Sequence, residues 1–210
     1  MSESAKRILL VRHGATTATR RACFVGATDT PLNAEGRRQA HDLTNMTTEF
    51  APGACYTSPL RRCRQTADLM LASRNCCQIT ELPGLREMDF GNWEGKTYSE
   101  IAAADPTGLD RMMKMDRTFA PDRGEKVGAF LGRVRRTLRA ILADPGERLL
   151  VVTHGGVIRA ALCILLVINP RKHFHSFEIA PGGSAELLAF DGGAVLRRLT
   201  PEPRGKEGAL

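Results

Sequence analysis

The chain has 210 residues, 42% of them hydrophobic and 25% charged, enough to bury a full core and close to the upper size of a single domain. Thirty Lys and Arg against 23 Asp and Glu give a formal net charge of +7, a field that favours anionic partners without naming one. With only eight Phe, two Tyr and one Trp, and no stretch interleaving basic and aromatic residues, the composition argues against nucleic acid as a partner.

The opening MSESAKR shows no signal-peptide pattern, and the aliphatic run from Ala160 to Ile168 is shorter than a bilayer span. The expectation is a soluble, cytoplasmic protein without a membrane partner. Cys23, Cys55, Cys63, Cys76, Cys77 and Cys163 show neither CxxC nor zinc-knuckle spacing, so reduced, structural thiols are expected.

Ile8 to Val11, in LLVRHGATT, are four consecutive aliphatics, the pattern of a strand covered on both faces. Gly14 offers the backbone freedom for a sharp exit. Arg12 and His13 thus fall at a strand's carboxyl end, the edge where ligands collect in open α/β sheets. Asn33, Gly36 and the stretch to Leu43 suggest a helix. A short strand is expected at 54–57, followed by Pro59 as the N-terminal residue of a helix over 60–72. That helix carries Arg61, Arg62 and Arg64 in its first turns. Helix N-termini and guanidinium forks both suit phosphate oxygens, although a solvated cationic face explains two of the three arginines equally well.

Another short strand is expected at 77–82, and LREMDFGNWEG (85–95) then places Glu87 and Asp89 before a Gly-bounded aromatic turn. Glu87 can be read as an ion-pair partner or as a proton donor. Residues 88–125, interrupted by Gly and Pro, look like a lid over the sheet edge. Met112, Met113 and Met115 within it either line a substrate pocket or fill a core. Val127, Phe130, Leu131, Val134, Leu138, Ile141 and Leu142 recur at helical spacing over 126–142, and Asp144-Pro145-Gly146 stops that helix. Its RVRRTLR run (133–139) is read as a solvated polar face.

LLVVTHGG (149–156) then repeats the opening pattern, with a strand at 149–152, His154 at the same sheet edge and a helix over 157–167. Strands at 185–190 and 195–199 complete the set, and residues 201–210 read as a frayed tail. Strands alternating with helices imply a three-layer α/β/α fold with a mostly parallel sheet, one domain over 1–200 with a small lid insertion. No internal repeat is visible.

A lone histidine is usually a packed or surface residue. Two histidines, each launched from a buried strand into a Gly turn, are harder to explain as packing. With arginines and one carboxyl group they form a cationic pocket fit for a phosphoryl group. No GxSxG elbow or thiol-phosphatase cysteine loop occurs, which leaves His13 as the nucleophile.

At this point the sequence resembles the histidine phosphatase, or phosphoglycerate mutase-like, superfamily. The resemblance spans about residues 8–199 through VRHGATT, DTPLNAEGRRQA, SPLRRCRQTA, LREMDFGNWEG, the Gly124-Glu125 pair and VVTHGG. It implies that His13 is the phosphorylated nucleophile, that Arg12, Arg62 and a protonated His154 bind phosphate, and that Glu87 is the proton donor. Thr19 and Gly26 follow as substrate contacts and Asp89 as structural. No metal or other cofactor is implied, because the arginines supply the charge. Ala15 and Thr19 depart from the family pattern, which often has an acidic residue and an Asn there; Thr19 can still donate to a phosphate oxygen.

The short stretch between the second and third motifs favours hydrolysis over phosphate return by a mutase. The lid, LREMDFGNWEG and Gly124-Glu125 look most like the α-ribazole phosphatase branch. The partner implied is then a small anionic phosphate ester, such as α-ribazole 5′-phosphate or, in a broad-specificity enzyme, a sugar phosphate. A binding module without activity is the alternative of another class, and the arginine-rich helices leave a homodimer open.

Overall fold

A computed structural model describes residues 5–72 and 77–201. Among them six strands form one sheet: β1 (Lys6–Arg12), β2 (Ala54–Thr57), β3 (Ile79–Glu81), β4 (Arg148–Thr153), β5 (Ser184–Phe190) and β6 (Gly193–Thr200). The helices are α1 (Thr17–Arg20), α2 (Ala34–Asp42), α3 (Thr44–Phe50), α4 (Arg61–Leu71), α5 (Tyr98–Ala104), α6 (Pro106–Met113), α7 (Val127–Leu142), α8 (Gly155–Leu165) and α9 (Pro170–His173). The strand order is β3-β2-β4-β1-β5-β6. β1 and β2 both pair parallel with β4, β3 pairs parallel with β2, and β5 runs against both its neighbours. The sheet is mostly parallel, as expected.

The central strands read as unbroken aliphatics because both of their faces are covered. Alternation along a strand sends Ile8, Leu10, Leu149 and Val151 into one core with α7 and α8. Leu9, Val11, Leu150 and Val152 go into a second core with α4 and Phe50 of α3. Parallel strands joined by crossover helices require this double cover. The three layers follow from it.

Several details differ from the sequence expectation. Residues 88–125 belong to the larger core: Met88, Trp93, Ile101, Leu109, Met112, Met115 and Phe119 are buried with Phe130 and Val134 of α7. The methionines therefore fill a core, and none of them lines the cavity described below. α4 begins at Arg61 rather than at Pro59, with Leu60 as an N-cap that offers no side-chain acceptor. The acceptor comes from another segment, as Asp29 Oδ1 takes the Arg61 N–H at 2.7 Å. Arg135, Arg136 and Arg139 are exposed as expected, but Arg133 is half-buried. Among the cysteines, Cys23, Cys63 and Cys163 are free thiols. Cys76 and the tail from residue 202 lie outside the described residues, and no helix among those residues is long and apolar enough to cross a membrane.

Candidate active site

The parallel strands deliver their successors to one edge. His13 follows β1, and its N–H continues the ladder to Thr153 O at 2.9 Å; Ser58 does the same after β2, to Val152 O at 3.1 Å. His154 follows β4 as the N-cap of α8. Gly14 is needed for a reason other than a left-handed turn: a Cβ there would collide with the backbone of Gly36, where α2 crosses the loop.

Arg12, His13, Arg62, Glu87 and Arg159 line a cavity of about 270 Å³, with Thr16, Thr19, Ala22, Cys23, Phe24 and Val25 supplying another wall. His13 is 4% exposed, and its Nδ1 lies 2.8 Å from Gly14 O. A carbonyl only accepts, so Nδ1 carries the proton and Nε2 is left with a lone pair. Burial, then the charges of Arg62 and Arg12, push the His13 pKa well below the usual imidazole value. The ring is a neutral base facing two cations.

His154 departs from expectation. Its Nδ1 accepts from Arg62 Nε at 3.2 Å, and its Nε2 lies 2.8 Å from Ser58 Oγ. A ring accepting from a guanidinium at one nitrogen cannot be doubly protonated. Burial and the neighbouring Arg62, His13 and Arg12 charges hold its pKa well down. The expected imidazolium is thus corrected to a neutral ring, which stands behind Arg62 rather than on the cavity wall. The His13 and His154 ring centroids are 5.1 Å apart.

Arg62, 1% exposed, spends three of its five N–H donors on the protein: Nε on His154, Nη1 on Thr28 O at 2.7 Å and Nη2 on Gly26 O at 2.8 Å. The remaining two are left for a ligand. Glu94 fixes that carbonyl loop, its Oε1 accepting from Gly26 and Ala27 N–H at 2.9 and 3.0 Å. Arg12 donates from Nη1 to Ile179 O at 2.6 Å, while its Nε is buried without a partner. Burial lowers its pKa to about 10, so the group stays charged at neutral pH. The orphaned Nε is a donor held ready for an acceptor that the protein itself does not provide.

Glu87 reaches the same space from the segment after β3. Its Oε2 accepts from Gly156 N–H at 2.9 Å in the first turn of α8, and its Oε1 from Met88 N–H at 3.0 Å. Asp89 instead caps its own turn, accepting from Gly91 N–H at 2.9 Å.

Two expected substrate contacts are revised. Gly26 does not line the cavity; its carbonyl holds Arg62, and a Cβ there would collide with Met88 O. Thr19 is on the wall, but its hydroxyl donates to Thr16 O at 2.9 Å and accepts from Thr16 N–H at 2.8 Å, closing a capping box. Its single proton is already committed. Two arginines were missed. Arg159 lines the cavity from α8, a position that the spacing of four residues from Gly155 could have revealed. Arg133 ties down the Glu87 segment, donating from Nη1 to Gly84 O and Arg86 O at 3.0 and 2.6 Å, and from Nη2 to Glu87 O at 2.9 Å. Glu125 holds Arg133 in turn with two bonds of 2.7 and 2.8 Å.

A neutral imidazole with a free lone pair, two guanidiniums with donors to spare and a carboxyl group across the cavity are the equipment of an enzyme that handles phosphoryl groups. Comparison with known proteins agrees: residues 8–201 match the Histidine phosphatase superfamily (branch 1), and the chain belongs to that family as a phosphoric monoester hydrolase. It is 31% identical over 194 residues to the adenosylcobalamin/α-ribazole phosphatase of Salmonella typhimurium, covering 92% of this chain and 95% of the relative. To the metal-independent phosphoserine phosphatase of Arabidopsis thaliana it is 33% identical over 156 residues, covering 73% and 66%. The α-ribazole phosphatase structure from Shigella flexneri superposes with a TM-score of 0.82 at 28% identity, covering 96% of this chain and 99% of that one.

Proposed function

We propose that the chain hydrolyses small phosphate monoesters in two steps through a phosphohistidine at His13, without a metal ion. The observation that carries this reading is the Nδ1–H bond from His13 to Gly14 O at 2.8 Å, which aims the Nε2 lone pair into the cavity lined by Arg12, Arg62 and Glu87. In the first step Nε2 attacks phosphorus in line, the phosphorus–oxygen ester bond breaks, and Glu87 gives its proton to the leaving alkoxide. Arg12 Nε and the two spare Arg62 donors take up the charge on the phosphoryl oxygens. In the second step the Glu87 carboxylate accepts a proton from water as that water attacks phosphorus. The nitrogen–phosphorus bond then breaks, and its electron pair returns to Nε2. A proton transfer of this kind is worth about 10²- to 10⁴-fold.

The 31% identical relative puts α-ribazole 5′-phosphate first among compounds to assay, followed by sugar phosphates. The free, buried thiols of Cys63 and Cys163 suit the cytoplasm as its compartment. Mass spectrometry of protein quenched in alkali after mixing with a phosphate ester tests the mechanism. Acid-labile phosphate on His13, absent in His13→Ala and slow to form and clear in Glu87→Ala, is expected. Phosphate release that persists in His13→Ala would overturn the mechanism, and bound phosphate with no release from any ester would favour a binding module.

A further inference from the structure

The carbonyl that orients His13 belongs to a peptide unit with one other anchor among the described residues. Gly14 O accepts from His13 Nδ1 at 2.8 Å, and the N–H of the same unit, on Ala15, donates to Gln39 Oε1 at 2.8 Å. A trans peptide is planar, with C=O and N–H pointing in opposite directions, so holding the N–H end sets the heading of the carbonyl. The units on either side are held elsewhere: Gly14 N–H donates to Thr66 Oγ1 at 3.1 Å, and Ala15 O accepts from Asn33 N–H at 3.0 Å. Glycine restrains its neighbouring peptides less than any other residue, which makes an external anchor necessary at this unit. Ala15 is buried, so its N–H depends on a protein acceptor.

Gln39 is brought there by α2, which supplies no group to the cavity wall. Positions three apart on a helix share a face. Gly36 crosses the loop after His13 so closely that a Cβ would collide with Ala15 O, and Gln39, one turn on, reaches Ala15 N–H. A backbone N–H only donates, so the oxygen of the Gln39 amide is the atom that faces it. We propose that Gln39 is a positioning residue for the nucleophile: by fixing the Gly14–Ala15 peptide it keeps the proton on His13 Nδ1 and the lone pair of Nε2 directed into the cavity. With that carbonyl turned away, the proton is free to reside on Nε2, and the ring has no lone pair for phosphorus. The relay also acts electronically. As the nitrogen–phosphorus bond forms, the ring gains positive charge, which strengthens the Nδ1–H bond to Gly14 O; the Gln39 oxygen polarises the shared peptide in the same direction. Nδ1 keeps its proton in both steps, so no proton travels along the relay.

This role rests on the two-step reading, and the experiment separates the two. Gln39→Leu removes the acceptor while filling its space against water, and Gln39→Glu keeps an acceptor at the same reach. Phosphorylation of His13 is followed by rapid quench with p-nitrophenyl phosphate and with glycerol 3-phosphate, and binding of inorganic phosphate by calorimetry. Nitrogen NMR of the five histidines separates protonated from bare ring nitrogens, with His13 assigned through His13→Ala. Gln39→Leu is expected to slow phosphorylation by about ten- to a hundredfold, equally for both esters, because the defect lies in the nucleophile and not in proton donation by Glu87. Phosphate should bind as in the wild type, since Arg12 and Arg62 are untouched, and the His13 proton should shift from Nδ1 toward Nε2. Gln39→Glu should restore the wild-type rate and spectrum. Near-ultraviolet circular dichroism checks the fold of each variant, and Gln39→Met, of similar length and without the oxygen, replaces Gln39→Leu if that chain does not fold. An unchanged rate without the acceptor would overturn the proposal. So would a loss accompanied by the wild-type His13 spectrum, by weaker phosphate binding or by no recovery in Gln39→Glu, since each makes the effect one of packing. A wild-type chain that forms no phosphohistidine would instead overturn the two-step reading, and the part of Gln39 in it, whatever the spectra show.

Discussion

Replacing Arg133 by alanine removes one side chain that performs two tasks. It cuts the two-bond pair with Glu125, in which both side chains are 19% exposed, and it releases the carbonyls of Gly84, Arg86 and Glu87. Truncating one partner of a buried pair costs about 3–5 kcal/mol, and the partial exposure puts this pair at the low end, about 3 kcal/mol. Urea unfolding should report that loss. The catalytic effect follows from geometry, because the segment that presents Glu87 is held to α7 by these bonds; a displacement of about 1 Å in a reacting group costs about 10²-fold. The loss should depend on the leaving group. An alkyl phosphate needs the proton from Glu87, whereas p-nitrophenolate leaves without one, so phosphorylation of His13 should slow far more for glycerol 3-phosphate than for p-nitrophenyl phosphate. Rapid-quench measurement of that step in the wild type and in Arg133→Ala makes the comparison. An equal loss for both esters, or unchanged urea stability, would refute the assignment of Arg133 as the positioning residue for Glu87.

Three further outcomes are expected. His13 and His154 are buried as neutral rings with depressed pKa values; as pH falls below about 6.5 the unfolded chain takes up protons that the folded one refuses. Stability should therefore drop by about 1.4 kcal/mol per histidine per pH unit until the folded pKa is reached, and urea titrations at pH 7, 6 and 5 in the wild type and in His154→Gln check the slope. Gly156→Ala places a Cβ against Glu87 Oε1 and should lower kcat by at least about tenfold, while near-ultraviolet circular dichroism stays native. Arg62→Lys replaces a fork serving His154, Thr28 O and Gly26 O with a point charge, so calorimetry should show a Tm lower by several degrees and phosphoenzyme formation should fail; the exposed Arg61→Lys should change neither.

The central strands were legible because their aliphatic runs have a single physical reading, cover on both faces. The edge position of His13, Arg62, Glu87 and His154 followed, since each stands a few residues beyond such a run or in the turn after it. α5 was also written in the chain, as Thr97 and Glu100 form a capping box, but the Gly and Pro residues around it obscured the signal. Arg133 was not legible as an anchor. Helical spacing places it on the border of the apolar stripe, beside Phe130, with Arg135, Arg136 and Arg139 turned outward, and only the tertiary contact with Glu125 and the 84–87 carbonyls sets it apart. The charge state of His154 was hidden for a related reason: a phosphate-site histidine is read as a cation until Arg62 Nε is seen to donate to it.

These placements share a physical logic. Holding guanidiniums in a buried site is costly unless each finds acceptors, and the chain supplies main-chain carbonyls: Ile179 O for Arg12, Gly26 O and Thr28 O for Arg62, Phe177 O for Arg159. Carbonyls carry no formal charge, so they fix the planes of the guanidiniums without neutralising them. Paired carboxylates would have held the same arginines more strongly and cancelled the field that a phosphoryl dianion needs. Glu125 does this for Arg133, which is turned toward carbonyls instead of the cavity. The carboxylate on the cavity wall, Glu87, is bound by the N–H groups of Gly156 and Met88 and by no arginine side chain. The orientation cost is met when the chain folds, so no cation has to be reoriented as charge moves onto the phosphoryl oxygens.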